Sequence, residues 1–182
     1  MSVVLPDARM DRILLTEAEI GAAVTRLGHA ITTDYAGRDL LLVTVLKGGL
    51  FFLSDLCRQI DLPLALDFMA ISSYGPQATG SVQITKDLDE VIEGRDVLMV
   101  EDIIDTGLTL NYLLRVLRQR RPASVAVCTL LDKDARRLVD LPISYRGFPV
   151  PDRFLVGYGL DLGGLWRNIG YIATLKDEIW EA

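Results

Sequence analysis

Hydrophobic and polar positions along the chain fall into two rhythms. Short, almost wholly apolar runs recur at 40–46 (LLLVTVL), 97–101 (VLMVE) and 125–131 (VAVCTLL). Runs of that length, bounded by turn residues, predict strands buried on both faces. The stretch 64–72 (LALDFMAIS) predicts another strand, and the alternation in 81–86 (SVQITK) predicts an antiparallel return. Between these stand segments with helical spacing. In 16–35, Ile20, Val24, Leu27 and Ile31 form one apolar stripe, and Thr16 with Glu19 makes a capping box. His29 falls on the opposite face, which predicts a solvated side chain. An apolar stretch after 47–49 predicts a second helix to about Ile60. A third is expected over 108–120, stopped by Pro122. Segment 73–80, with Gly75, Pro76 and Gly80, reads as a loop. Short strands are expected near 143–146, 153–157 and 169–173.

Strands alternating with helices predict an α/β fold, a parallel sheet with helices on both faces. A sheet of this kind binds its ligand outside the carboxyl ends of its strands. Three loops qualify: 47–49, 102–109 and 132–134. At 182 residues the chain is expected to be a single domain, and 50% hydrophobic residues supply a core. No apolar run reaches the ~20 residues of a membrane span. The first twelve residues lack the basic-then-apolar order of a secretory signal. Cys57 and Cys128 sit inside apolar segments, as buried reduced thiols do, so a cytoplasmic location is expected. The net charge of −6 argues against a nucleic-acid partner. A single histidine, His29, leaves little room for a two-histidine metal site or a Ser–His pair. Arg115, Arg118, Arg120 and Arg121 cluster at a helix end, where cations complement the dipole.

The strongest chemical signal is VLMVEDIIDTGLTL, residues 97–110. A buried strand delivers Glu101 and Asp102. A loop then carries Asp105, Thr106, Gly107, Leu108 and Thr109 into a helix start. Free N–H groups and hydroxyls there make a phosphate cradle. Adjacent carboxylates before such a cradle would repel a bare anion, and they fit a ligand that also brings hydroxyls or Mg²⁺. A sugar phosphate meets both demands. Simple helix capping would explain Asp105 or Thr106, but it does not require Glu101 and Asp102.

This string resembles the phosphoribosyl-pyrophosphate motif of the type I phosphoribosyltransferases, most of all the hypoxanthine-guanine branch in its shorter bacterial form. The resemblance runs over roughly 10–180. It implies the phosphoribosyltransferase fold with a small hood formed mainly by 148–182 and part of the N-terminal segment. The implied reaction joins phosphoribosyl pyrophosphate to hypoxanthine or guanine with Mg²⁺, giving IMP or GMP and pyrophosphate. Homodimeric or homotetrameric assembly is also implied, and no membrane partner.

The family's residue roles map onto this sequence as follows. Lys47 and Gly48 would bind pyrophosphate, after a cis peptide. Ser73 and Tyr74 would close as a lid. Glu101 and Asp102 would hold ribose hydroxyls and the metal's shell. Asp105 would assist proton movement at the purine N7, and 105–109 would grip the 5′-phosphate. Lys133 would donate to the exocyclic oxygen, Phe154 would stack on the base, and Leu155 and Asp161 would read its far edge. Asp161 would also face a second Mg²⁺, and Arg167 would grip pyrophosphate. The segment 162–166 (LGGLW) departs from the family, which tends to carry charged residues there. Same-fold alternatives are a transferase for xanthine, adenine or uracil, and an RNA-binding pyrimidine-attenuation regulator.

Overall fold

The computed structural model describes residues 7–73 and 82–180. Its main sheet uses β2 (Leu40–Leu46), β3 (Leu64–Ser73), β4 (Val82–Lys86), β5 (Asp96–Ile104), β6 (Ser124–Asp132) and β7 (Ile143–Pro149), in the spatial order β4-β3-β2-β5-β6-β7. All neighbours run parallel except β3 and β4.

The apolar runs are continuous because both faces are covered. Leu40 and Leu42 of β2, Leu98 and Val100 of β5, and Cys128 and Leu130 of β6 pack with α1 (Glu17–Asp34) and α2 (Leu50–Cys57). Their alternating neighbours Leu41, Val43, Val97, Met99 and Val127 pack with α3 (Leu108–Arg118) on the other face. Helix α1 starts where expected: Thr16 Oγ1 accepts from the Glu19 N–H, and Glu19 reaches back to the Thr16 N–H at 2.8 Å. Its stripe Ile20, Val24, Leu27 and Ile31 is buried and His29 is exposed.

A second sheet stands over the carboxyl end of the first. It pairs β1 (Met10–Leu15), β9 (Ile172–Leu175) and β8 (Leu155–Val156) antiparallel. The sequence held no expectation for 10–15, because MDRILL neither alternates nor forms a stripe. Its strand state comes from pairing with β9, at the other end of the described chain. The expected strand at 169–173 lies instead at Ile172–Leu175, and that at 153–157 shrinks to two residues. Strand β5 runs on through Ile104, past the end expected after Glu101, because Ile103 and Ile104 stay paired with Leu131 and Asp132 of β6. Helices α2 and α3 stop two or three residues before their expected ends. Tyr74 lies outside the described residues, and Ser73 is the last residue of β3. Among the described residues no helix is long and apolar enough to cross a membrane.

Candidate active site

Three loops meet at the carboxyl end of the sheet. The first leaves β2 through a cis peptide between Leu46 and Lys47, then Gly48 and Gly49. Both glycines are required by close packing. A Cβ on Gly48 would lie 1.9 Å from Asp102 Oδ2, and one on Gly49 would lie 2.0 Å from Thr44 Oγ1.

The second loop follows β5. Gly107 has φ of 81° and caps α3 without a side-chain hydrogen bond; in the first turn the Leu108 N–H makes a long bond to Thr106 Oγ1 at 3.4 Å, and N–H groups of such a helix start can turn to an anion. Leu138 N–H donates to Thr106 O at 3.0 Å, and the Arg137, Val139 and Leu141 side chains crowd the Gly107 Cα. The loop after β5 therefore rests on the segment after β6. A cleft of about 180 Å³ opens over it, lined by Glu101, Asp105, Thr106, Gly107 and Thr109.

The two acids before this loop sit in unfavourable surroundings. Glu101 Oε1 is out of contact with solvent and has no hydrogen-bond partner. Burial, with the Asp102 charge beside it, pushes the Glu101 carboxyl well above its usual range. Burial also lifts Asp102 to about 6, while the Ile103 N–H at 2.8 Å and the Arg167 charge oppose the rise and the Asp161 charge adds to it. A cation would relieve both groups. Among the described residues no three His, Cys, Asp or Glu side chains are grouped to hold a metal ion.

The third loop follows β6. Lys133 is buried, and its N–H donates to Ile104 O at 2.9 Å, tying the third loop to the second. Beneath it Asp132 is fully buried and meets Arg137 and Arg146. Facing these loops is the second sheet with its 157–170 connection. Gly159 presses on the first loop: a Cβ there would lie 2.2 Å from Gly48 O. Arg167 Nη1 donates to Gly159 O at 2.5 Å and Nη2 meets Asp161 Oδ1 at 2.5 Å. The Gly164 N–H donates to Asp161 Oδ2 at 2.6 Å, so the divergent 162–166 turn caps this carboxylate by backbone. Tyr158, buried at φ 49°, donates its hydroxyl to Asp55 of α2 at 2.6 Å.

A second cleft of about 280 Å³ brings Asp102, Asp105, Lys133, Phe154, Leu155, Asp161 and Arg167 to one opening. Of the expected site residues, Lys47 is exposed beside Gly48, and Leu108 is exposed at the start of α3. Arg136 was missed by sequence reasoning and lines this same cleft. It stands three positions after Lys133, so the strand-end rule would have reached it had the third loop been drawn longer.

The chain matches the family described as the phosphoribosyl transferase domain over residues 12–162. It is 48% identical to a hypoxanthine-guanine phosphoribosyltransferase of Mycobacterium avium, over 93% of this chain and 87% of the relative. It is 46% identical to the protein of that name from Bacillus subtilis, over 95% of this chain and 97% of the relative. The crystal structure of a hypoxanthine phosphoribosyltransferase from Staphylococcus aureus superimposes with a TM-score of 0.90 at 46% identity, covering 94% of this chain and 95% of that one.

Proposed function

This chain belongs to the phosphoribosyltransferase family, and on that premise we propose that it joins the ribose carbon of phosphoribosyl pyrophosphate to N9 of hypoxanthine or guanine, forming IMP or GMP and releasing pyrophosphate. The observation that carries this reading is the single cleft in which Lys133, Asp105 and Phe154 face Asp161 and Arg167, beside the phosphate loop. One ligand with a base at one end and a 5′-phosphate at the other spans both clefts.

In this reading Thr106, Gly107, Leu108 and Thr109, with the Asp105 backbone, bind the 5′-phosphate. Lys47, Gly48 and Arg167 bind pyrophosphate. Glu101 and Asp102 hold the ribose hydroxyls. Glu101, Asp102 and Asp161 would hold Mg²⁺ with substrate oxygens, and its charge would neutralise the leaving pyrophosphate. The ribose passes through a cationic, oxocarbenium-like state, which the nearby carboxylates stabilise. Asp105 takes the N7 proton of the base as general base. Phe154 stacks on the purine, and Leu155 and Asp161 read its far edge. Ser73 and Tyr74 close the lid. The segment 148–182 with β1 serves as hood, on a single domain acting in the cytoplasm as a homodimer or homotetramer. Nothing in the described site supports serine attack.

Lys133 decides the base class. An ammonium has three donors and no acceptor, so it pairs with a 6-oxo group and leaves a 6-amino group unmatched. A panel of hypoxanthine, guanine, xanthine, adenine and uracil with phosphoribosyl pyrophosphate and Mg²⁺ tests the reading. Hypoxanthine and guanine are turned over and adenine is disfavoured by orders of magnitude. Adenine within about tenfold of hypoxanthine would contradict it.

A further inference from the structure

The cleft holds an alternating row of charges. Arg136 Nε lies 3.3 Å from Asp105 Oδ1, and its Nη1 donates to Asp105 Oδ2 at 3.4 Å. The same Nη1 lies 3.6 Å from Asp152 Oδ1, and that oxygen lies 3.7 Å from Lys133 Nζ. The guanidinium thus makes one long hydrogen bond, to Asp105, and lies within ion-pair range of Asp152, which lies within ion-pair range of the lysine. Asp105, Arg136 and Asp152 are each about half-exposed, whereas the Lys133 side chain is 9% exposed. Half-exposed ion pairs contribute little to folding. The row has a geometric value instead, because Asp105 and Lys133 line one cleft and, in the proposed reading, address N7 and O6 of one purine edge.

We infer that Arg136 is a positioning residue that sets the spacing between Asp105 and Lys133, and through them the fit of a 6-oxopurine. The inference rests on the proposed roles of Asp105 and Lys133. A guanidinium suits the task because its charge is spread over a broad planar group with several N–H donors, which lets it lie near two carboxylates at once, whereas an ammonium is a compact point charge. Its backbone is held as well: Arg136 ends a 3₁₀ turn, Asp134–Arg136, and its N–H donates to Lys133 O at 3.1 Å. The side chain is therefore anchored on the residue whose ammonium it helps to place. A base entering the cleft displaces water from all four groups, so the row matters most when the site is filled.

The test is steady-state kinetics of the purified chain with hypoxanthine, guanine and adenine, at saturating Mg²⁺, beside thermal melting. Arg136→Ala is expected to raise the KM for hypoxanthine and guanine about tenfold and to narrow the gap to adenine. The KM for phosphoribosyl pyrophosphate stays within about threefold, and the melting temperature shifts by no more than about 2 °C, as for an exposed pair. Arg136→Lys recovers part of the loss, since it reaches only one carboxylate. Adding Asp152→Asn to Arg136→Ala costs little more, because both act on one row. Unchanged base KM in Arg136→Ala overturns the inference. So does a parallel rise in both KM values, which marks a general disturbance. Asp105→Asn and Lys133→Ala separate the two levels. If they alter base kinetics while Arg136→Ala does not, only this inference falls. If they too are silent, the underlying reading of the site falls with it.

Discussion

Gly48 packs directly against the carboxylate of Asp102, with no room between them for a methyl group, since a Cβ at position 48 would lie 1.9 Å from Oδ2. The loop after β2 and the acids of β5 are therefore one packed unit, although 54 positions separate Gly48 from Asp102.

Gly48→Ala is expected to push the Asp102 side chain out of place and damage handling of phosphoribosyl pyrophosphate. Its KM should rise by about tenfold or more, with the KM for hypoxanthine changed much less. Separate titrations of the two substrates measure this. Equal rises for both would indicate a collapsed site.

The raised carboxyls predict a stability cost at neutral pH. The Asp102 carboxyl titrates near 6 in the fold, against an ordinary 3.8. A folded-state value above the unfolded one gives stability that is complete below about pH 4 and lost as pH rises through 6. Asp102→Asn should therefore stabilise the ligand-free protein at pH 8, on the order of 2 kcal/mol, and not at pH 4. Asparagine can still accept from the Ile103 N–H. Melting curves at both pH values check this, and a gain at pH 4 as large as that at pH 8 would contradict it.

Turnover is expected to need Mg²⁺ or Mn²⁺. Glu101 and Asp102 lie side by side in a chain of net charge −6, with Glu101 Oε1 unpartnered. A polyanion enters such a site only with a cation. Excess chelator should abolish activity and added Mg²⁺ restore it; full activity in chelator would refute the expectation.

Asp105→Asn should lower kcat by about 10²–10⁴-fold, the usual contribution of a general base. The KM for phosphoribosyl pyrophosphate should move little, because in the proposed reading the backbone of the loop and not this carboxylate binds the phosphate. A fall in kcat under about threefold, with chemistry rate-limiting, would remove Asp105 from that role.

The parts of the molecule that could be read in advance are those governed by local pattern. Uninterrupted runs such as 40–46 betray a strand covered on both faces, and Thr16 with Glu19 marks a helix start within four residues. The order of loops at the sheet's carboxyl end follows from strand–helix alternation alone, and it brought Lys133 into view. What stayed hidden depends on distant parts of the chain. Strand β1 exists because β9 pairs with it. The end of β5 was misplaced because two acids resemble a strand terminus, while the pairing that continues it belongs to β6. Burial of Glu101 and the approach of Arg136 to Asp105 arise from packing across strands, and neither residue's neighbours in sequence report them.

The link between the Lys133 N–H and Ile104 O makes the sheet a gauge. The loops after β5 and β6, which in the proposed reading bind the 5′-phosphate and the base, leave adjacent parallel strands in register, Ile104 beside Asp132. Their separation is thus tied to the interstrand spacing of about 4.8 Å, a length that no side-chain rearrangement can alter. A nucleotide analogue whose linker between base and phosphate is longer or shorter than a ribose must bend or stretch to suit the protein. On the proposed reading, a rigid linker of a different span is therefore expected to compete less well for both ends at once than a flexible one.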